Sequence, residues 1–402
     1  MKDSNFSILH LTGSIGSKSG GVGPVAVGIS KTQRLLGHDS VIWSLDSSSV
    51  AQEAAKINGL NLKDIRSFHT LGPRRIGYSP SMEQKVLTRK EPTFDILHQH
   101  SLWLAISRVT NRWRDTFSMP TVVAPHGTLE AYALKRSRWK KKLALWGYEM
   151  DNLQRAACLH ATSIGEATSF RNFGLKNPIA VIPNGVPEER LNRKGEASRF
   201  RSRFSIPSDK RVLLFLSRID PKKGLPILFK AIEQLGKELE EWILVIAGFE
   251  NIPGYCRKLK QLGENLRISK KIIFTEPLFG QDKDDAFAAS DILVLPTHSE
   301  GFGMIVIDAL AAGVPVLTTH GAPWEELISH NCGWWVEINE QGIHNALQNA
   351  ANRPKQELIE MGTRGRLLVE KKYTWIQTTK MTIELYRWLL GHWSMPSFVL
   401  KD

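Results

Sequence analysis

The chain repeats one hydrophobic rhythm from end to end. Short unbroken apolar runs rich in Val, Ile and Leu alternate with longer stretches of helical spacing. In the first half the runs fall at 6–11, 41–45, 96–98, 121–124, 159–161 and 179–182; in the second, at 212–216, 242–247, 272–274, 292–295, 314–317 and 334–336. Continuous apolar runs of this length predict strands covered on both faces, and their alternation with helices predicts parallel sheets flanked by helical layers. Twelve strands exceed one small doubly wound domain, so the pattern predicts an α/β chain of two six-stranded halves. Periodicity lapses over 188–211, where the chain turns charged and small before Pro207 and Ser208. This predicts a linker near 187–207 between domains at 1–190 and 206–372. The segment 373–402 opens with apolar residues at helical spacing (Ile376, Met381, Ile383, Leu385, Trp388, Leu389). It can complete either domain and is expected to pack back on the first.

Composition narrows the class. The 402 residues are 42% hydrophobic and 23% charged, which excludes a disordered or collagen-like chain. Three scattered cysteines (Cys158, Cys256, Cys332) give neither a disulfide framework nor a zinc motif, pointing to a reducing compartment. The first residues lack the apolar core of a signal peptide, and no stretch approaches the roughly 20 apolar residues of a membrane span. The expected location is cytoplasmic. The net charge of +13 sits almost wholly in residues 1–195, with 27 Lys+Arg against 15 Asp+Glu, so that half is expected to attract phosphates or anionic headgroups. Within it, Leu134, Trp139, Leu143, Trp146, Met150 and Leu153 recur at helical spacing beside Lys135, Arg136, Arg138, Lys140, Lys141 and Lys142. Two readings stand: a core-facing helix with a solvated flank, or a peripheral patch for an anionic membrane or acceptor.

The chemistry concentrates in the second half. The run Thr297-His298-Ser299-Glu300-Gly301-Phe302-Gly303-Met304 follows a strand and opens a helix. Free backbone N–H groups and the positive end of the helix dipole make such a start a phosphate site, and Gly301 and Gly303 permit close approach. Glu300 stands beside it. Asp308 lies in an otherwise apolar helix and requires partners. The loop Ser217-Arg218-Ile219-Asp220-Pro221-Lys222-Lys223-Gly224 closes the first strand of this half. There Arg218 and Lys223 can converge on a diphosphate at the sheet edge where open α/β sheets bind ligands.

Arg218, Lys223-Gly224 and the Glu300…Asp308 segment resemble the retaining glycosyltransferases of family 4, whose fold is GT-B: two Rossmann-like doubly wound domains facing across a cleft. Other stretches match in chain order: Gly20-Gly21-Val22-Gly23, His98-Gln99-His100, Ala124-Pro125-His126-Gly127 and Ile182-Pro183-Asn184-Gly185-Val186. The resemblance implies a hexosyltransferase moving sugar from a nucleotide-diphosphate sugar to a glycan or lipid-linked acceptor, in polysaccharide or lipopolysaccharide assembly. It implies Arg218 and Lys223 on the diphosphate and Glu300 on the donor sugar. The backbone of Gly301, Phe302, Gly303 and Met304 would cradle the distal phosphate, with Asp308, one methylene shorter than the family glutamate, on the ribose. His126 would lie near the reacting sugar, Gly20, Gly21, Val22, Gly23 and His100 on the acceptor and phosphate side, and Pro277, Leu278 and Phe279 near the nucleobase. Where relatives often carry glycine, this chain has Glu276. No cofactor beyond the co-substrate and no metal is expected.

Competing signals are weaker. Gly21-Val22-Gly23-Pro24-Val25-Ala26 with Asp46 about 20 residues on has dinucleotide-fold spacing, which would make an NAD(P)-dependent oxidoreductase, but this leaves Arg218, Lys223 and Glu300 unexplained. A non-catalytic protein using the basic run for membrane or nucleic acid is the other alternative; no nucleic-acid module is legible. His98 and His100 share a strand face, yet no third metal ligand is evident. Asp282-Lys283-Asp284-Asp285 reads as a solvated first helical turn. Trp324, Trp334 and Trp335 read as packing.

Overall fold

The computed structural model describes residues 5–16, 21–88, 94–135 and 137–402. The chain divides into two units: Met1–Gly185 with Trp375–Asp402, and Val186–Thr374. In chain order the strands of the first unit are β1 (Ser7–Thr12), β2 (Asp39–Ser44), β3 (Ile65–Ser67), β4 (Ile96–His100), β5 (Thr121–Ala124), β6 (Cys158–Ala161) and β7 (Ile179–Val181). Those of the second are β8 (Arg211–Leu216), β9 (Trp242–Ala247), β10 (Ile272–Thr275), β11 (Ile292–Leu295), β12 (Val316–Thr319) and β13 (Gly333–Val336). A final strand, β14 (Val399–Leu400), returns to the first unit.

The first sheet runs β3-β2-β1-β4-β5-β6-β7-β14 and the second β10-β9-β8-β11-β12-β13. Every pairing is parallel except β14 against β7. The parallel order follows from the apolar runs, since β4, β5, β6, β11 and β12 are buried along their whole length, and only helices on both faces can cover such strands. Two strands fall outside the expected twelve. Ile65-Arg66-Ser67 is only partly buried and too short for a period. β14 is a two-residue edge pairing.

The segment 187–207 is not a linker. It forms two short helices, Glu189–Asn192 and Ala197–Arg203, and buries Leu191, Phe200 and Ile206 in the core of the second unit. Arg190 and Arg199 in it are halves of ion pairs: Arg190 with Asp284, and Arg199 with Asp285 at 2.5 Å. The same pairs correct the reading of 282–285. Asp284 and Asp285 are buried, and the Arg199 guanidinium drives the Asp285 carboxyl far below the usual carboxylate range. Only Asp282 is exposed, 3.1 Å from Arg203. Charge that looks solvated in the sequence is neutralised across the fold.

The C-terminal helix Trp375–Leu389 packs, within the first unit, on the helix Val22–Leu35. Gly28 sets the closeness of that approach, since a Cβ there would lie 2.2 Å from the Trp375 indole. Gly28→Ala is therefore expected to lower stability by about 1–3 kcal/mol through overpacking. Chemical denaturation measures this, and an unchanged midpoint would show that the contact is not tight.

Candidate functional site

In the second sheet the strand order reverses between β8 and β11. Loops leaving two such strands diverge to opposite faces and open a crevice at their carboxyl ends. The sequence places its two chemical motifs on these two loops. After β8, Asp220 caps a short turn, Pro221–Lys223, by accepting from Lys222 N at 2.9 Å. Gly224 closes that turn with φ 69°, and a Cβ there would lie 1.9 Å from the Pro296 carbonyl oxygen. This close passage lets His298 N donate to the Lys222 carbonyl at 2.8 Å, tying the loops together.

The outcome is a buried Lys223 paired directly with Glu300. The Thr297 hydroxyl stands 3.2 Å from the same Glu300 Oε1. Glu300 N donates to the Gly321 carbonyl at 2.7 Å, and Trp324 Nε1 to the Phe302 carbonyl at 2.6 Å, so the loop is braced from outside. Trp324 is buried, as its packing role predicts. The helix Met304–Ala311 begins beside the pair, with Gly303 at φ 86° as its N-cap and no capping side chain. Arg218 lies exposed on the β8 loop.

Asp308 has partners the sequence did not disclose. Lys283 Nζ lies at 2.5 Å and Arg190 Nε at 3.4 Å, so the carboxylate is held by cations rather than by hydroxyls or a helix end. The residues missed are thus Lys283 and Arg190, one hidden inside the acidic run and the other inside the supposed linker. After β10, Leu278 is buried, Pro277 partly buried, and Phe279 is 70% exposed. The unexpected Glu276 pairs with Arg203, which gives the departure from glycine a structural account.

In the first unit Gly20 lies outside the described residues. Gly21 is the N-cap of the helix Val22–Leu35, which no side chain caps, and Gly23 is buried within it. Asp46, which a dinucleotide reading assigns to a ribose, instead accepts from Ser14 Oγ at 2.6 Å and Ile15 N at 2.8 Å. His126 follows β5 with φ 53°, and Gly127 continues at φ 75°, a conformation costly for a non-glycine residue. It is held by Glu166, whose Oε1 accepts from Gly127 N at 2.5 Å while Oε2 accepts from Thr162 N at 2.8 Å. Burial raises the Glu166 pKa.

His100, placed by the resemblance on the acceptor and phosphate side, is fully buried. Its partners form a row across the sheet. His10 on β1 is in register with His98 on β4, and His160 on β6 projects from the same face. The third imidazole that the sequence did not reveal is His10, and nitrogens of His10, His98 and His100 come within 4.8 Å of one another. These rings are nevertheless engaged with each other: His10 Nδ1 to His100 Nε2 is 2.9 Å and His100 Nδ1 to His126 Nε2 is 3.0 Å. Burial, then repulsion between rings, pulls the pKa of His10 to about 4 and of His126 to about 3. Burial alone lowers His160 to about 4, and burial with the neighbouring rings holds His98 and His100 well below 6.5.

The basic segment is not core-facing throughout. Leu153 is buried, but Trp139 is 65% and Trp146 91% exposed, with Leu143 also exposed. Lys135, Arg138, Lys140 and Lys142 are exposed alongside; Arg136 lies outside the described residues. Lys141 instead turns inward, donating to the Ala133 carbonyl at 2.5 Å. Among the described residues no helix is long and apolar enough to cross a membrane.

Two family models match the chain in succession: the glycosyl transferase 4-like domain over residues 20–185 and the glycosyl transferases group 1 domain over 197–366. The chain is a glycosyltransferase of the GT-B fold and belongs to the family 4 type. It is 28% identical to a D-inositol 3-phosphate glycosyltransferase of Saccharomonospora viridis over 73% of this chain and 70% of that protein. A protein of the same description from Mycobacterium leprae is 25% identical over 74% and 70%. Among solved structures, Anabaena HepE, determined with UDP and glucose, superposes with a TM-score of 0.75 at 19% identity, covering 95% of this chain and 99% of that one. A glycosyltransferase from Rickettsia africae gives 0.74 at 18%, covering 96% and 99%.

The histidine row makes stability depend on acidity. In the folded chain these rings stay neutral, whereas in the unfolded chain each takes a proton near pH 6.5. Stability is therefore full above pH 6.5 and falls as the pH drops toward 4, by roughly 1–2 kcal/mol per buried histidine between pH 7 and 5. Urea midpoints that stay level over that interval would contradict the assignment.

Proposed function

We propose that the protein transfers a sugar from a nucleoside diphosphate sugar to a hydroxyl of a glycan or lipid-linked acceptor, with retention at the anomeric carbon, in polysaccharide or lipopolysaccharide assembly. The observation that carries this reading is the buried Lys223–Glu300 pair beside an uncapped helix start at the strand-order reversal. An ammonium held out of water by its own carboxylate is primed for exchange. Diphosphate oxygens take over the Lys223 ammonium, and the released Glu300 accepts from hydroxyls of the donor sugar. Arg218 adds a second cation, and the N–H groups at Gly303 and Met304 meet the distal phosphate. Asp308, held by Lys283 and Arg190, faces the ribose.

The leaving group departs as an anion, so fixed positive potential on the diphosphate lowers the barrier. The anomeric carbon–phosphate oxygen bond breaks as the acceptor oxygen bonds on the same face, and the acceptor proton passes to the departing phosphate oxygen. Two cations and a helix start are proposed to do this without a resident metal. The glycosyltransferase names of the relatives and the UDP and glucose bound to HepE support a nucleotide-sugar donor. An NAD(P)-dependent reaction is disfavoured because Asp46 is already committed to Ser14 and Ile15.

A panel of nucleotide sugars, scored by thermal stabilisation and by transfer or hydrolysis, identifies the donor. With it, Lys223→Ala and Glu300→Gln should each lose at least about a hundredfold in transfer, or about 2.7 kcal/mol. Wild-type rates in either variant would refute the assignment.

The exposed Trp139, Leu143 and Trp146 among basic residues support a peripheral location on an anionic membrane, where a lipid-linked acceptor is met. In flotation at low salt, the protein should rise with anionic vesicles and stay down with zwitterionic ones, and Trp146→Ser should weaken the association. Protein that stays at the bottom with anionic lipid removes the membrane proposal.

A further inference from the structure

The histidine row carries a hydrogen-bond polarity that can be followed from a fixed end. His160 Nε2 lies 2.8 Å from the Ile182 carbonyl oxygen. A carbonyl only accepts, so this nitrogen bears the proton, and in a neutral ring Nδ1 must then accept. The His160 Nδ1 partner is His98 Nε2 at 3.3 Å, which therefore donates. His98 Nδ1 is left to accept from the Tyr386 hydroxyl at 2.7 Å. The single tyrosine proton is now committed, and its oxygen can take only donors.

Gln33 is the fixed end for the other rings. Its Oε1 receives Ser40 Oγ at 2.8 Å and His10 Nε2 at 2.8 Å. Its Nε2 has no hydrogen-bond partner among the described residues. The atom that faces His10 is Oε1, and an amide oxygen only accepts. His10 Nε2 thus carries the proton, His10 Nδ1 accepts from His100 Nε2, and His100 Nδ1 accepts from His126 Nε2. The direction set at the Gln33 oxygen arrives at His126 with one result: Nε2 is protonated, and Nδ1 carries the lone pair. Among the described residues no group meets Nδ1, and the residue is partly exposed.

We propose that His10 and His100 are positioning residues that, with Gln33, lock His126 in the Nε2–H tautomer so that its Nδ1 accepts a hydrogen bond from a substrate hydroxyl. This rests on the glycosyl transfer proposed above. A neutral lone pair aligns a hydroxyl without adding a charge at His126. The row can also stay dry and satisfied only while neutral, because a second proton on any of these rings would set N–H against N–H.

The test uses the full chain with ¹⁵N-labelled histidine. Long-range ¹H–¹⁵N spectra at pH 7 should show Nε2 protonated and Nδ1 unprotonated for His10, His98, His100, His126 and His160, each assigned by loss of its signals in a single substitution. The spectrum is read without substrate, so it decides the tautomer even where no donor in the panel is turned over. Protonation of His126 at Nδ1, or a stoichiometric transition metal in the purified protein, overturns the proposal, since a ligated nitrogen cannot donate. His100→Phe should lower kcat tenfold or more while KM for the donor stays within about threefold, with the His126 tautomer signature lost. A folded His100→Phe protein with unchanged kcat overturns it as well.

Discussion

A parallel strand cannot reach its neighbour through a tight turn; it needs a crossover, and crossovers of one hand cover only one face of a sheet. Both sheets solve this by starting in the middle and working outward in each direction, from β1 to either side in the first unit and from β8 in the second. That reversal is the constraint on which the chemistry depends. It places the loop after β8 beside the loop after β11, close enough that glycine is required at 224 under the Pro296 carbonyl. Lys223 and Glu300, 77 positions apart, become one ion pair next to a helix start.

Around the candidate site of the second unit, charge is arranged as mutual neutralisation across the fold. Arg190 serves both Asp284 and Asp308, Arg199 serves Asp285, and Arg203 serves Glu276 and Asp282. The segment around Arg190 and Arg199 thereby becomes a part of the second unit's wall instead of a tether. A buried carboxylate such as Asp284 is tolerable only with such a partner. The first unit uses the opposite solution: its buried row of imidazoles is kept uncharged, and each ring satisfies the next.

Much of the fold was legible because its signal is local. Unbroken Val, Ile and Leu runs announce doubly covered strands, and all twelve runs became strands, with boundaries shifted by a residue or a few. What escaped was short or partner-dependent. Ile65-Arg66-Ser67 has no period, and β14 exists only because β7 offers an edge. Of the candidate site, the glycine-rich helix start, Glu300, Lys223 and Arg218 stood out by residue type and spacing. The cationic partners of Asp308 did not, because nothing local couples residues 190, 283 and 308.

The sequence by itself determined two parallel α/β units, since strand length and helix spacing are properties of contiguous residues, and the resemblance of its loop motifs pointed to the glycosyltransferases. It also determined that one half would be basic. Only the tertiary structure decided which charges meet and which histidines touch. His10, His98, His100, His126 and His160 come from loops and strands far apart in the chain; the Ile182 carbonyl and Tyr386 order His160 and His98, and the Gln33 oxygen orders the other three. A proton's position in such a row depends on the last acceptor in line, and that acceptor is chosen by sheet register and helix packing rather than by any neighbour in sequence.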